Sequence, residues 1–153
     1  MTRHTPTLKT RVLKGFTLIE LMIAVVIVGI LGTIAVSAYS SQMTKSRRTD
    51  ARTALLDLAA REEKIFSTTN AYATTPYTLG YGTATTATFP ITVGSGYYTV
   101  SVTAPTTSTF TATATTTGVQ VKDTQCTTLT VNQLGQQTST GTGSAALCWG
   151  TGT

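Results

Sequence analysis

Histidine occurs once in this chain, at His4, and charged side chains make up only 11% of it. Past residue 4 no imidazole is available as a general base, and no second histidine exists to complete a metal cluster. Between Ile65 and the C-terminus the only charged side chains are Lys122 and Asp123. General acid–base chemistry needs paired or perturbed ionisable groups in one place, and this half of the chain lacks them. The expectation is therefore no enzyme, no metal site and no cofactor. Proline is scarce as well, at 4 residues, and neither proline nor glycine falls between Thr33 and Asn70. Nothing local breaks a helix there. Cysteine is limited to 2 residues, Cys126 and Cys148, both late in the chain. An even pair behind a membrane segment reads as a disulfide in an oxidising compartment; two separate buried thiols are the other reading. An unstrained loop closure of this size is worth about 3 kcal/mol, a useful amount for a small domain.

The net charge of +5 and pI near 9.5 invite a nucleic-acid reading. The positions of the charges weaken it. Arg3, Lys9, Arg11 and Lys14 all precede the apolar stretch, and from Phe16 onward the chain is nearly balanced. Most of the basicity belongs to a short N-terminal leader.

The chain holds a long apolar run, Phe16 to Ala38, FTLIELMIAVVIVGILGTIAVSA. As a helix it would be roughly 34 Å long at ~1.5 Å per residue, enough to cross a bilayer core of about 30 Å. Gly29, Gly32 and Thr33 are small enough for close helix packing. The run is too long for a plain secretory signal, and no small-residue cleavage site follows it. Residues 39–66 continue the helix in amphipathic form. Ala51, Leu55, Leu58 and Ile65 share one stripe, with Arg48, Arg52, Arg61 and Lys64 expected elsewhere around the cylinder.

After Asn70, threonine, glycine and β-branched residues dominate and favour strands. Tyr97–Thr103 alternates, with Tyr98, Val100 and Val102 on one face, and Phe110–Thr115 alternates likewise. The stretch from Pro105 to Ser108 between them predicts an antiparallel hairpin. Thr128–Val131 and Gln136–Ser139, joined through Asn132-Gln133-Leu134-Gly135, predict a second. The expected fold is α+β: a long N-terminal helix packed on an antiparallel sheet, in four segments. These are 1–15 (leader), 16–38 (transmembrane and assembly half), 39–66 (amphipathic half) and 67–153 (threonine-rich β domain).

Lys14-Gly15-Phe16-Thr17-Leu18-Ile19-Glu20, followed by the apolar run, resembles the class III signal of type IV pilins. A lone carboxylate at the head of a membrane helix is costly, so Glu20 has no place in a mere anchor. In that family a prepilin peptidase cuts between glycine and phenylalanine and N-methylates the new terminus, which implies processing at Gly15 and Phe16. The resemblance assigns Glu20 to assembly, pairing with the Phe16 amine of a neighbouring subunit. A pair with its own amine is the other reading. The implied partners are other pilin subunits, prepilin peptidase, an inner-membrane platform with its ATPase, and lipid before assembly. The implied path runs from the inner membrane to an extracellular pilus. Many pilins have proline where this chain has Ser37, so a smoother helix is expected here.

Softer matches continue the resemblance: Arg47-Arg48-Thr49-Asp50-Ala51, Arg61-Glu62-Glu63 with Asn70-Ala71-Tyr72, Gly96-Tyr97-Tyr98, and Asp123-Thr124-Gln125-Cys126 through Cys148-Trp149. They are most like short minor pilins of proteobacteria, in which a cysteine pair bounds the C-terminal loop. Pseudopilins of type II secretion commonly carry a carboxylate-rich calcium site instead, and Asp123 is the only acid in that region. The function read from the sequence is a structural pilus subunit for biogenesis, adhesion or twitching motility. The alternatives are a DNA-binding minor pilin and a pseudopilin. For DNA, the candidate surface is Lys45, Arg47, Arg48 and Arg52, with Tyr72, Tyr77 and Tyr81 as stacking aromatics or loop anchors. For the other charged helix residues, Asp50, Asp57, Glu62 and Glu63, a solvated face or contacts between subunits is expected. Trp149 is expected to pack over the disulfide.

Overall fold

The computed structural model describes residues 15–83 and 85–151. The leader expected over residues 1–15 therefore lies, Gly15 apart, outside the described residues. The chain divides into two units, Met1–Tyr39 and Ser40–Thr153.

Helix α1 covers Leu18–Thr69, 52 residues that run without interruption past Ser37. Its start is set by Thr17, whose hydroxyl accepts the Glu20 N–H at 3.2 Å while its carbonyl accepts Leu21 N–H. That is the N-cap role of threonine, satisfying an amide that has no partner in the first turn. Its end is set by side chains that compete for the last carbonyls. Ser67 Oγ donates to Lys64 O, and Thr68 and Thr69 Oγ1 both donate to Ile65 O. Asn70 then adopts φ 56°, the left-handed stop that asparagine tolerates.

In the first unit every described residue is exposed, including Ile23, Val26, Ile27 and Leu31. An apolar helix with all faces uncovered needs lipid or other helices around it.

The second unit holds a five-stranded antiparallel sheet of order β1-β2-β3-β4-β5. The strands are β1 (Ile91–Val93), β2 (Tyr98–Thr106), β3 (Thr109–Thr116), β4 (Thr128–Asn132) and β5 (Gln137–Thr140). Both expected hairpins are present. Three elements were not expected: β1, a 3-10 turn at Gly118–Lys122, and the short helix α2 (Ala145–Trp149). Each spans five residues or fewer, too short for a period to stand out.

The register carries the pleat across the sheet. Ile91, Val100, Ala114 and Leu129 are successive partners on the inner face, as are Val102, Ala112 and Val131. Thr92, Thr99, Thr115, Thr128 and Thr140 are successive partners on the other face, through all five strands. The inner row packs in one core with Ala51, Leu55 and Leu58 of α1. On its inner face central strand β3 carries Phe110 and then two alanines, at 112 and 114, all buried, and the alanines leave room for a helix to lie close. Each leucine buried this way contributes about 1.5–3 kcal/mol.

Candidate functional site

Two regions carry the candidate functional residues, and each lies within one unit.

In the first, Gly15, Phe16 and Thr17 lie outside any regular element and directly precede α1. Phe16 is 83% exposed, and among the described residues nothing lies within 4 Å of the position a Gly15 Cβ would take. Glu20 stands in the first turn of the helix, exposed. Thr17 has a role that the resemblance does not assign, although Thr17-x-x-Glu20 fits the Ser/Thr-x-x-Glu pattern of a capped helix start. The observed half of that box is the hydroxyl–amide bond.

The second region lies around the disulfide. Cys126 and Cys148 are bonded, with Cα atoms 5.6 Å apart. The chain before Cys126 pairs with the glycines that follow β5. Thr142 N–H donates to Thr124 O and Gly143 N–H to Gln125 O. Gly141 holds φ 126°, and a Cβ there would sit 2.4 Å from the Gln125 carbonyl oxygen, so only glycine fits. Ser144 caps α2 by accepting Leu147 N–H, and Gly150 closes it in the left-handed conformation. Trp149 is buried in the main core, and its indole N–H donates to Thr138 O of β5 at 2.8 Å.

The basic residues proposed for DNA contact do not form a free surface. Arg48 is 3% exposed and lies on the helix stripe with Ala51, Leu55 and Leu58, not away from it. Its Nε and Nη2 donate to the two Asp123 carboxylate oxygens at 2.7 Å each, and Nη2 also reaches Gln125 Oε1. Gln120 completes the cluster, donating to Asp123 Oδ2, the Tyr98 hydroxyl and Thr44 O. The bond to Asp123 raises the Arg48 pKa, keeping it charged despite burial. Arg52 donates to Cys148 O at 2.8 Å. Arg47 lies over the Tyr97 ring, 4.0 Å from its centroid, a cation–π contact. Of the four, Lys45 alone has no partner among the described residues.

Glu62 is a second correction to the solvated face. It is 0% exposed, and its Oε2 accepts the Ala73 N–H at 2.8 Å while Oε1 has no partner among the described residues. Burial pushes its carboxyl pKa up, against a smaller downward pull from the Ala73 bond. Two of the three tyrosines prove to be loop anchors. Tyr72 lies between Phe66 and Phe110 with its hydroxyl on Glu63. Tyr81 bonds Asp57, which Arg61 also grips. Tyr77 is 45% exposed.

An apolar helix headed by Gly-Phe-Thr-Leu-Ile-Glu, followed by an antiparallel domain with a disulfide at its C-terminal end, defines a type IV pilin. Residues 12–36 match the model of the prokaryotic N-terminal methylation motif. Residues 37–130, more than half of the chain, match the model described as type IV minor pilin ComP, DNA uptake sequence receptor, and the chain belongs to that family. Similar proteins include the type IV major pilin protein PilA of Myxococcus xanthus (strain DK1622), 37% identical over 68 residues, covering 44% of this chain and 31% of that protein. Fimbrial protein Q and the type IV major alpha-pilin of Moraxella bovis are each 58% identical over 36 residues, covering 24% of this chain and 23% of theirs. The chain thus spans between about a quarter and a third of the length of the curated relatives it matches. A solved type IV pilin from Shewanella oneidensis is similar at 25% identity and a TM-score of 0.43, over 61% of this chain and 89% of that one.

Proposed function

We propose that this chain is a minor subunit of a type IV pilus, made as an inner-membrane precursor and finished by cleavage between Gly15 and Phe16. The four segments then act in turn: residues 1–15 are removed, 16–38 hold the subunit in lipid and later in the filament, 39–66 carry the sheet, and 67–153 face outward. The new Phe16 amine is methylated, and Glu20 of one subunit pairs with the amine of another. In an apolar surrounding each charge would be expensive alone, so the pair selects one axial register. Prepilin peptidase and a platform with its ATPase act on the subunit from the membrane side.

One observation carries this reading: a non-helical Gly15–Phe16 peptide next to an uncovered apolar helix with a carboxylate in its first turn. Mass spectrometry of sheared filaments tests it. A peptide starting at methylated Phe16, in low abundance beside another pilin, is the expected result. A chain still starting at Met1 or Thr2 overturns the proposal.

The family match over residues 37–130 favours a second reading, capture of DNA by the soluble domain. With Arg48 and Arg52 engaged internally, the candidate surface keeps Lys45 and the Arg47–Tyr97 face and gains Lys122, while exposed Lys64 lies elsewhere on α1. About three phosphate contacts would give a shallow salt dependence, with log K against log[salt] of slope roughly −3. Duplex binding measured from low to physiological salt checks it, and a slope near −8 would require a different surface.

A further inference from the structure

A small polar pocket of about 220 Å³ opens in the second unit beside the Arg48–Asp123 pair. Ser41, Thr44 and Lys45 of α1 line one side of it, and Lys122, Thr124 and Gln125 the other. Its charge is one-sided. Asp123 is neutralised by two bonds from Arg48, while Lys45 and Lys122 are exposed and have no partner among the described residues. The Ser41 and Thr124 hydroxyls add donors at its lining. Two ammonium groups and two hydroxyls around a cavity of this size suit a phosphate group and disfavour a cation or an apolar ligand.

The position along the chain says where the phosphate comes from. The apolar run ends at Ala38, and Ser41 and Lys45 follow it by three and seven residues. Even a fully extended chain reaches no more than roughly 11 Å over the three residues to Ser41, and each headgroup layer of a bilayer is about 5–8 Å deep. With the apolar run in lipid, the residues that open the pocket therefore follow directly on the headgroup layer, and a lysine there can extend its ammonium toward a headgroup along its own stem.

We propose that this pocket binds the phosphate of an anionic phospholipid headgroup while the subunit waits in the membrane. The proposal rests on the reading that residues 16–38 reside in the bilayer before assembly. The pocket would be filled in the membrane pool and emptied on extraction, since a filament carries no bilayer headgroup layer.

The full chain, purified in detergent micelles, is titrated with phosphatidylglycerol and bound lipid is counted by native mass spectrometry. Phosphatidylcholine, inorganic phosphate and a short DNA duplex serve as parallel arms. Retention of phosphatidylglycerol well above phosphatidylcholine is expected. Lys45→Gln or Lys122→Gln should each weaken it roughly fivefold, and the double variant about 25-fold. Both lysines are exposed, so the melting temperature should not move, which separates lost binding from lost fold. Equal retention by the double variant overturns the site. Displacement by inorganic phosphate at matching concentration makes it a free-anion site and overturns the lipid assignment. Loss of duplex binding in the double variant with lipid retention intact overturns it in favour of nucleic acid. Alkaline extraction of cell membranes is run alongside. A chain that washes out shows that the membrane reading itself has failed, whereas a chain that stays but retains no lipid refutes this site alone.

Discussion

Arg48 and Asp123, 75 positions apart in the chain, meet as a two-bond ion pair whose side chains are 3% and 2% exposed. One partner sits on α1 and the other just before Cys126, so the pair joins the helix to the disulfide region. Gln120, Gln125, Tyr98 and the Cys126 amide surround it. The charges are therefore both paired and hydrogen-bonded, the condition under which a buried ion pair is tolerated.

Removing one partner strands the other. Asp123→Ala or Arg48→Ala should cost about 3–5 kcal/mol, read as a lower urea midpoint for the detergent-solubilised chain. Replacing both with apolar residues of similar volume should recover most of that loss. A double variant as unstable as the sum of the singles would mean the two side chains do not act as a pair and would refute this account.

Glu62 predicts a pH dependence. Its folded pKa is raised by burial, so the folded chain holds this proton more tightly than the unfolded one. Its contribution is full below the ordinary glutamate range, near 4.3, and declines as pH rises through the raised folded value. Asp57 works in the opposite sense. Its pKa is lowered first by the Tyr81 hydroxyl bond and also by Arg61, and that stabilisation fades as pH falls. Glu62→Gln isolates the first effect, since glutamine still accepts from Ala73 N–H and never ionises. Its melting temperature should equal or exceed the parent's at pH 8, with the gap closing toward pH 4. A variant less stable than the parent at pH 8 would refute the account.

Reduction of Cys126–Cys148 should lower stability by about 3 kcal/mol, measured as the difference between thermal melts with and without reductant. Gly141→Ala should act on the same region by another route. Its Cβ meets the Gln125 carbonyl, and a cost of about 1–3 kcal/mol is expected, with slower disulfide formation on refolding.

Glu20→Ala should separate processing from assembly. The peptide starting at Phe16 should appear in membranes at normal yield, and its amount in sheared filaments should fall several-fold. Unchanged incorporation would leave Glu20 without the assembly role proposed for it. Thr17→Ala loses the helix cap, about 1 kcal/mol, whereas Thr17→Ser keeps it; that contrast reads the cap through helix content at the N-terminus.

The sequence by itself determined whatever depends on near neighbours. The long helix follows from an unbroken apolar and amphipathic run with no proline or glycine from Thr33 to Asn70. The two hairpins follow from period-two alternation with turn residues between. At the head of the helix the Gly15–Phe16 and Glu20 pattern was legible because those residues are close in the chain, whereas the Thr17 cap was identified only from its bond to the Glu20 amide. Only the tertiary structure decided which charges are free. Helix periodicity puts Arg48 and Glu62 in line with Leu55 and Leu58, yet a charged residue on a stripe is acceptable only if a distant group meets it. For Arg48 that group is Asp123, and for Glu62 it is the Ala73 amide. The first meeting arises when the disulfide region folds onto the helix and the second when the chain turns back after Thr69, and no helix or strand period encodes either. The apparent basic surface disappeared for the same reason: Arg48, Arg52 and Arg47 were drawn into contacts with residues 50 to 96 positions away.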